Sequence, residues 1–453
     1  MFALALTLWG SPARADDVLL VLNDPTGRPA PMDSCDAEVC STLEGLIRKS
    51  TKTIDLALYG LRGQTALLDA LRDAKARGVR LRAVVDMDVN NENYYSDTDE
   101  LMKIVGDVKT DFEVDFASKA AQKDYLGTAF RCERPEGFAG PLQCLAFDLG
   151  DRCWIGAHAS REPIVFQGDI MHNKFAVVDG RYVWTGSTNA SDSCTGGYNA
   201  NLVTVVDSPL VAGWYTNEFE QMHKGFFHAT KQKQPPMRAD LHPDLSVQVL
   251  FSPQHKPITE AVRPLIQSAR SSIDVAVFFL THKEIAQDLL NAHQRGVKVR
   301  VLLDATAATN EYTKHEVLRL GGIPVKVEDF GGKMHAKSAV IDDEYVITGS
   351  MNWTSAGERG NDENTIILRS GKLARQYRSW FQTVWERVDN RWLTANPIPE
   401  SRDSGFACMD GTDNDFDHKD DAEDEGCSAT PPPVPMLPAG KIVPKPKEGC
   451  RLP

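Results

Sequence analysis

Apolar and polar positions along this chain fall into two blocks with the same rhythm. Ile47-Arg-Lys-Ser-Thr-Lys-Thr-Ile-Asp55-Leu-Ala-Leu-Tyr59 is matched by Ile266-Gln-Ser-Ala-Arg-Ser-Ser-Ile-Asp274-Val-Ala-Val-Phe278. In both, a polar stretch gives way to a short aliphatic run, the pattern of a strand buried on both faces. Leu67-Leu-Asp-Ala-Leu-Arg then parallels Ile285-Ala-Gln-Asp-Leu-Leu at helical spacing. Gly78 and Gly296 follow the last periodic positions as helix stops, and new aliphatic runs lead to Asp86 and Asp304. Each half therefore predicts helix, buried strand, helix, buried strand. The expected fold class is α/β: two pseudo-symmetric halves, each a mixed or largely parallel sheet flanked by helices.

A tighter repeat lies downstream. His172-Asn-Lys174-Phe-Ala-Val-Val-Asp179 is followed after six residues by Gly186-Ser187-Thr-Asn189, and His335-Ala-Lys337-Ser-Ala-Val-Ile-Asp342 after six by Gly349-Ser350-Met-Asn352. In extended chain, residues two apart share a face, so each histidine emerges beside its lysine. Asp179-Gly180 is a hairpin signal, and Asp179 and Asp342 read as structural turn-formers. The returning strand brings the Ser/Asn loop back to the histidine. Two copies with identical spacing imply two half-sites around one centre at the interface of the halves. Lysines offset the charge of a phosphodiester, Ser187, Asn189, Ser350 and Asn352 can donate to its oxygens, and imidazole serves as nucleophile or acid.

The first half is expected over 16–229 and the second over 246–396, joined by a polar Pro-containing stretch. Asp86 to His172 spans 86 residues but Asp304 to His335 only 31, so an insertion of about 55 residues is placed at roughly 92–165. It is either a wall of the substrate pocket, with Tyr94-Tyr95 at its start, or a disulfide-pinned decoration.

Composition narrows the class. Over 453 residues, 42% hydrophobic and 25% charged residues describe a globular protein, and a net charge of −13 argues against a processive nucleic-acid binder. Phe2-Ala-Leu-Ala-Leu-Thr-Leu-Trp9, then Ala13-Arg14-Ala15, reads as an export signal over 1–15, giving a periplasmic or secreted protein. The nine cysteines suit that compartment and are read as disulfides, with Cys132, Cys144, Cys153 and Cys194 clustered in the first half. His158, His223, His228, His255, His282 and His315 lie outside the motifs and receive no role. In the acidic segment 404–428, Asp413, Asp415, Asp417, Asp421 and Asp424 stand at the oxygen-ligand positions of a Ca²⁺ loop, although His418 replaces the usual glycine. Residues 429–453 are Pro-rich and expected to be extended or disordered.

The paired motifs resemble those of the phospholipase D superfamily, HxKxxxxD followed by GSxN, and the resemblance covers roughly residues 40–395. It implies a covalent phosphohistidine, resolved by water or another alcohol, and no cofactor for catalysis. In two-motif relatives the supporting group crosses the pseudo-dyad. Glu363 would thus orient His172 as nucleophile, and Asn201, its repeat partner, would orient His335 as acid. The Cys-bracketed tail resembles thrombospondin-type-3-like calcium repeats, implying structural Ca²⁺ there. The leading expectation is an exported phosphodiesterase of glycerophospholipids at a membrane or vesicle surface, monomeric because one chain holds both motifs. Its alternatives are a nonspecific nuclease with nucleic acid as substrate, a cardiolipin synthase-like transphosphatidylase, and a non-catalytic envelope-binding protein.

Overall fold

A computed structural model describes residues 16–121, 143–148, 153–158, 168–310 and 312–428. The export segment at 1–15, the tail at 429–453, Cys132 and much of the expected insertion lie outside the described residues.

Two sheets carry the fold. The first runs in the order Asp17–Leu22, Leu202–Asp207, Tyr182–Gly186, Phe175–Val178, Thr53–Leu58, Arg80–Val85, Val108–Thr110. The second repeats that order as Leu245–Ser252, Glu363–Arg369, Tyr345–Gly349, Lys337–Ile341, Ser272–Val277, Lys298–Leu303, Val325–Val327, with Met237–His242 added at the first edge. Only the last three strands of each sheet are parallel. The rest are antiparallel, so each sheet is mixed, the first of the two expected forms, and not largely parallel. The physical reason is the motif itself: its strand turns back as a hairpin, and a hairpin pairs antiparallel.

The repeat also relocates the insertion. Thr98–Val105 and Val108–Thr110 hold the places of the helix His315–Leu320 and the strand Val325–Val327, so the extra chain starts beyond Thr110, not at 92. That edge strand, Val-Lys-Thr, is only half-buried and carries no aliphatic run to announce it.

The layers alternate helix, sheet, helix, sheet, helix. Outer helices such as Glu38–Lys49, Thr65–Ala76 and Lys283–Gln294 cover the outward sheet faces in two separate cores. Between the sheets, Pro209–His223 and Gly371–Arg387 share a third core with both inner faces. Each long helix binds the opposite half: Tyr215 packs on Phe251 with ring centroids 5.1 Å apart, and Trp380 Nε1 donates to the carbonyl of Asn23 at 3.0 Å. The aspartates inside the aliphatic runs are paired rather than stranded. Asp55 accepts from Arg82 at 2.8 and 2.9 Å, and Asp274 from Arg300 at 2.8 and 3.0 Å, across adjacent parallel strands. Among the described residues no helix is long and apolar enough to cross a membrane.

Candidate active site

The two motifs meet because their approach segments pair across the dyad. Met171 bridges Asp362 and Ala200 bridges Met334, with the His172 N–H donating to the carbonyl of Asp362 at 2.9 Å. Residues following one Ser/Asn loop therefore stand against the histidine of the other half. Glu363 Oε1 lies 2.8 Å from His172 Nδ1, and Asn201 Oδ1 3.1 Å from His335 Nδ1. A hydrogen bond at Nδ1 fixes ring orientation and presents Nε2 to a reacting group. Lys174 and Lys337 point back over their own histidines, donating to the carbonyls of His172 and His335 at 2.8 and 2.6 Å. Both histidines and both lysines are buried.

Aromatic rings from the ends of the repeated strands complete each half-site, a pairing that the sequence alignment of Tyr59 with Phe278 contained but did not interpret. Tyr59 lies 5.3 Å from the His172 ring and 5.3 Å from Lys174 Nζ; Phe278 lies 5.1 Å from the His335 ring and 4.8 Å from Lys337 Nζ. Such rings exclude water and favour a cation over their faces.

The Ser/Asn loops are used differently from the expectation. Ser187 donates its hydroxyl proton to Asn201 Oδ1 at 2.8 Å and accepts from Leu202 N–H, so it supports the group behind His335 instead of donating to phosphate. Asn201 is fully buried behind that ring, which makes it an orienting residue and not a phosphate contact. Ser350 accepts the backbone N–H of Asn364 at 3.0 Å. Asn364, missed in the sequence, ties the halves together by donating to Asn173 Oδ1 at 3.1 Å and accepting from Thr185 and Tyr215. Asn189 donates to the Tyr95 hydroxyl at 3.0 Å, and the buried amide oxygens of Asn189 and Asn352 have no hydrogen-bond partner. Gly186 and Gly349 let the loops approach the neighbouring strand: a Cβ there would lie 2.0 Å from the Leu202 carbonyl oxygen and 2.2 Å from that of Asn364.

The electrostatics are those of an anion site. Burial lowers His172 to about 4, with Lys174 and Lys337 adding to the shift against Glu363. Burial, then Lys337 and Lys174, drives His335 well below its ordinary value. Lys174 falls to about 8 through burial, and Lys337 well below its usual range through burial and Lys174. The charge of Lys174 that depresses Lys337 is one that a bound anion would offset. Burial and the two lysines thus favour the neutral imidazole at both histidines.

Asp179 and Asp342 lie away from this centre at left-handed turn positions, φ 53° and 54°. Asp179 accepts the N–H groups of Thr51, Lys52 and Thr53, and Asp342 those of Arg270, Ser271 and Ser272, each pinning the turn before a buried strand. These bonds hold both carboxylates below their ordinary value, although burial acts the other way. Their stabilisation is present above the unfolded pKa and lost as pH falls through the lower folded one, below about pH 4. Asp179→Ala should cost on the order of 1–3 kcal/mol near neutral pH and less at pH 3, measured by denaturant unfolding at the two pH values. An equal cost at both would contradict the linkage.

Among the cysteines, Cys35 bonds Cys40 and Cys408 bonds Cys427. Cys194 corrects the expectation: it is a free, buried thiol 3.7 Å from His335 Nδ1, accepting from Asn199 Nδ2 at 3.3 Å. In the acidic segment Asp413, Asp415 and Asp417 converge, and Glu400, Asp415 and Asp424 form a second carboxylate group. Asp421 instead accepts the N–H groups of Asp410 and Gly411 and stands outside both groups.

The chain matches the family described as "Cardiolipin synthase, PLD-like domain" over residues 154–223 and 262–385. It is 31% identical over 186 residues to a mitochondrial cardiolipin hydrolase of Xenopus laevis, covering 38% of this chain and 88% of that protein. The chain belongs to the phospholipase D superfamily. Within that superfamily it is also 33% identical to the Mus musculus mitochondrial cardiolipin hydrolase, over 29% of this chain and 59% of that protein. It is 36% identical to a phospholipase D of Rickettsia prowazekii, over 27% of this chain and 60% of that protein. The chain thus spans little more than half the length of several curated relatives it matches.

Proposed function

We propose that this protein is a phospholipase D-type phosphodiesterase that hydrolyses or transfers phosphatidyl groups of glycerophospholipids. The observation that carries this reading is the pair of buried histidines, each held at Nδ1 by a residue of the opposite half and each accompanied by a buried lysine, an arrangement suited to hold one phosphodiester. In the reaction, His172 Nε2 attacks phosphorus while Lys174, Lys337, Asn189 and Asn352 hold the charged oxygens. Glu363 at Nδ1 stabilises the positive charge that grows on the attacking ring. His335, oriented by Asn201, protonates the leaving oxygen; it then deprotonates the water or alcohol that releases phosphate from His172. Export rests on the apolar N-terminal run and the extracellular style of cysteine use. Structural Ca²⁺ in the tail rests on the two carboxylate groups that share Asp415.

The test is a paired assay of the purified chain on phosphatidylcholine or cardiolipin vesicles and on single-stranded DNA, with and without EDTA. Release of phosphatidic acid or of the lipid alcohol is expected, with the chemical step retained in chelator. DNA cleavage without lipid turnover would assign the site to a nuclease. Complete loss in EDTA restored by Zn²⁺ or Mg²⁺ would contradict the proposed mechanism.

A further inference from the structure

Behind the His172 half-site lies a buried ionic cluster that the mechanism above does not use. His228, in the short turn His228–Thr230 beyond the helix Pro209–His223, is 2% exposed. Its Nε2 stands 2.9 Å from Asp115 Oδ1 and 3.5 Å from Asp111 Oδ2, and its Nδ1 3.2 Å from Asp362 Oδ2. The His228 N–H also donates to Asp362 Oδ1 at 2.9 Å. Lys231 Nζ lies 2.6 Å from that same oxygen and pairs with Glu218 on its other side.

These carboxylates grip both chain segments that flank His172. Asp111 Oδ2 accepts the Met171 N–H at 2.9 Å, and the Asp362 carbonyl accepts the His172 N–H at 2.9 Å. Asp362 directly precedes Glu363, the partner of His172 Nδ1. One ring therefore links Asp111 and Asp115 of the first half to Asp362 of the second. The repeat supplies an internal contrast. At the His335 half-site Ala200 holds the place of Asp362, and the turn Asn390–Leu393 holds that of His228–Thr230. The ring occupies a backbone position of φ 51°, which glycine adopts freely and histidine does not.

We propose that His228 is a positioning residue for His172: it fixes Asp362 and through it the Glu363–His172 pair. This rests on the reading of His172 as the attacking group. Burial opposes the charge on His228, but Asp362, Asp111 and Asp115 outweigh it and hold the ring well above its ordinary value. Asp86 beside Asp111 is raised by burial and by that neighbour. Asp111, Asp115 and His228 could also converge on a metal ion, but the direct 2.9 Å contact with Asp115 and the engagement of Asp111 by Met171 favour an ion-paired ring.

The test variant is His228→Asn, because asparagine tolerates the left-handed backbone while removing the charge. Groups facing His172 are Glu363, Lys174, Lys337, His335 and Tyr59; those facing His228 are Asp111, Asp115, Asp362 and Asp169, with Lys231 across Asp362. With the cation gone, the unbalanced carboxylates favour a protonated His172. On a p-nitrophenyl phosphodiester, kcat should fall on the order of 10- to 100-fold with little change in KM. The acid limb of the kcat/KM profile should move to higher pH. Asp115→Asn, which keeps the ring but removes its nearest partner, should likewise lower kcat if His228→Asn does not fold, but it should move the acid limb to lower pH, because it removes a carboxylate and not the cation. A turnover-independent arm follows the His172 ring by ¹⁵N NMR in histidine-labelled protein, where the variant should titrate at higher pH. Folded variants with wild-type kcat, pH profile and His172 titration would overturn the proposal. So would an equimolar metal found in wild-type protein by mass spectrometry and absent from His228→Asn. Wild-type protein without turnover would overturn the site reading instead, and the NMR arm would still decide whether His228 orients His172.

Discussion

Alanine at His172 or at His335 is expected to lower turnover of a natural phosphodiester by at least on the order of 10²–10⁴-fold, with the fold retained. Each ring is held at Nδ1 by a partner from the opposite half, so each offers a single Nε2 to the reaction. Neither role has a substitute nearby. Water cannot attack the diester in place of a buried, oriented imidazole, and the free thiol Cys194 lies on the Nδ1 side of His335. Both positions lie in short segments ahead of the strands Phe175–Val178 and Lys337–Ile341, outside the aliphatic cores, so truncation should leave the sheets intact. Steady-state kinetics on phospholipid vesicles, with thermal unfolding as the folding control, measure the effect. Near-wild-type turnover by either variant would remove its histidine from the mechanism.

The second large effect separates the two rings by leaving group. A p-nitrophenyl diester departs without protonation, so it relieves the need for an acid but not for a nucleophile. His335→Asn should then approach wild-type bond cleavage on that substrate while remaining severely impaired on an alkyl diester. His172→Asn should be severely impaired on both. The asymmetry follows from Glu363 against Asn201: only the ring backed by a carboxylate gains charge stabilisation as it attacks. The reverse pattern would exchange the roles while leaving the fold and the reaction class standing.

Much of this arrangement was legible in the chain because duplication writes the same physics twice. Aliphatic runs around Asp55 and Asp274 mark paired strands, and the two His-x-Lys segments mark two half-sites. The opposition of Glu363 to His172 was implied by the resemblance to two-motif phospholipase D relatives, in which the supporting group crosses the dyad. Other features were hidden for definable reasons. Ser187 looks like a phosphate donor until the strand Leu202–Asp207 places Asn201 beside it. Cys194 counts toward a disulfide by composition, but the fold encloses it against His335. His228 has no motif at all, since its partners Asp111, Asp115 and Asp362 arrive from distant parts of the chain. The antiparallel half of each sheet follows from the return of one hairpin, which aliphatic periodicity does not encode.

The central claim, a covalent intermediate on one of two non-equivalent histidines, is tested most directly by acid-quench mass spectrometry of His335→Asn reacting with a p-nitrophenyl phosphodiester. Without the base that activates water, the phosphorylated enzyme should accumulate with its phosphoryl group on the peptide containing His172. An adduct on the His335-derived segment, or turnover with no adduct on any histidine, would contradict the account.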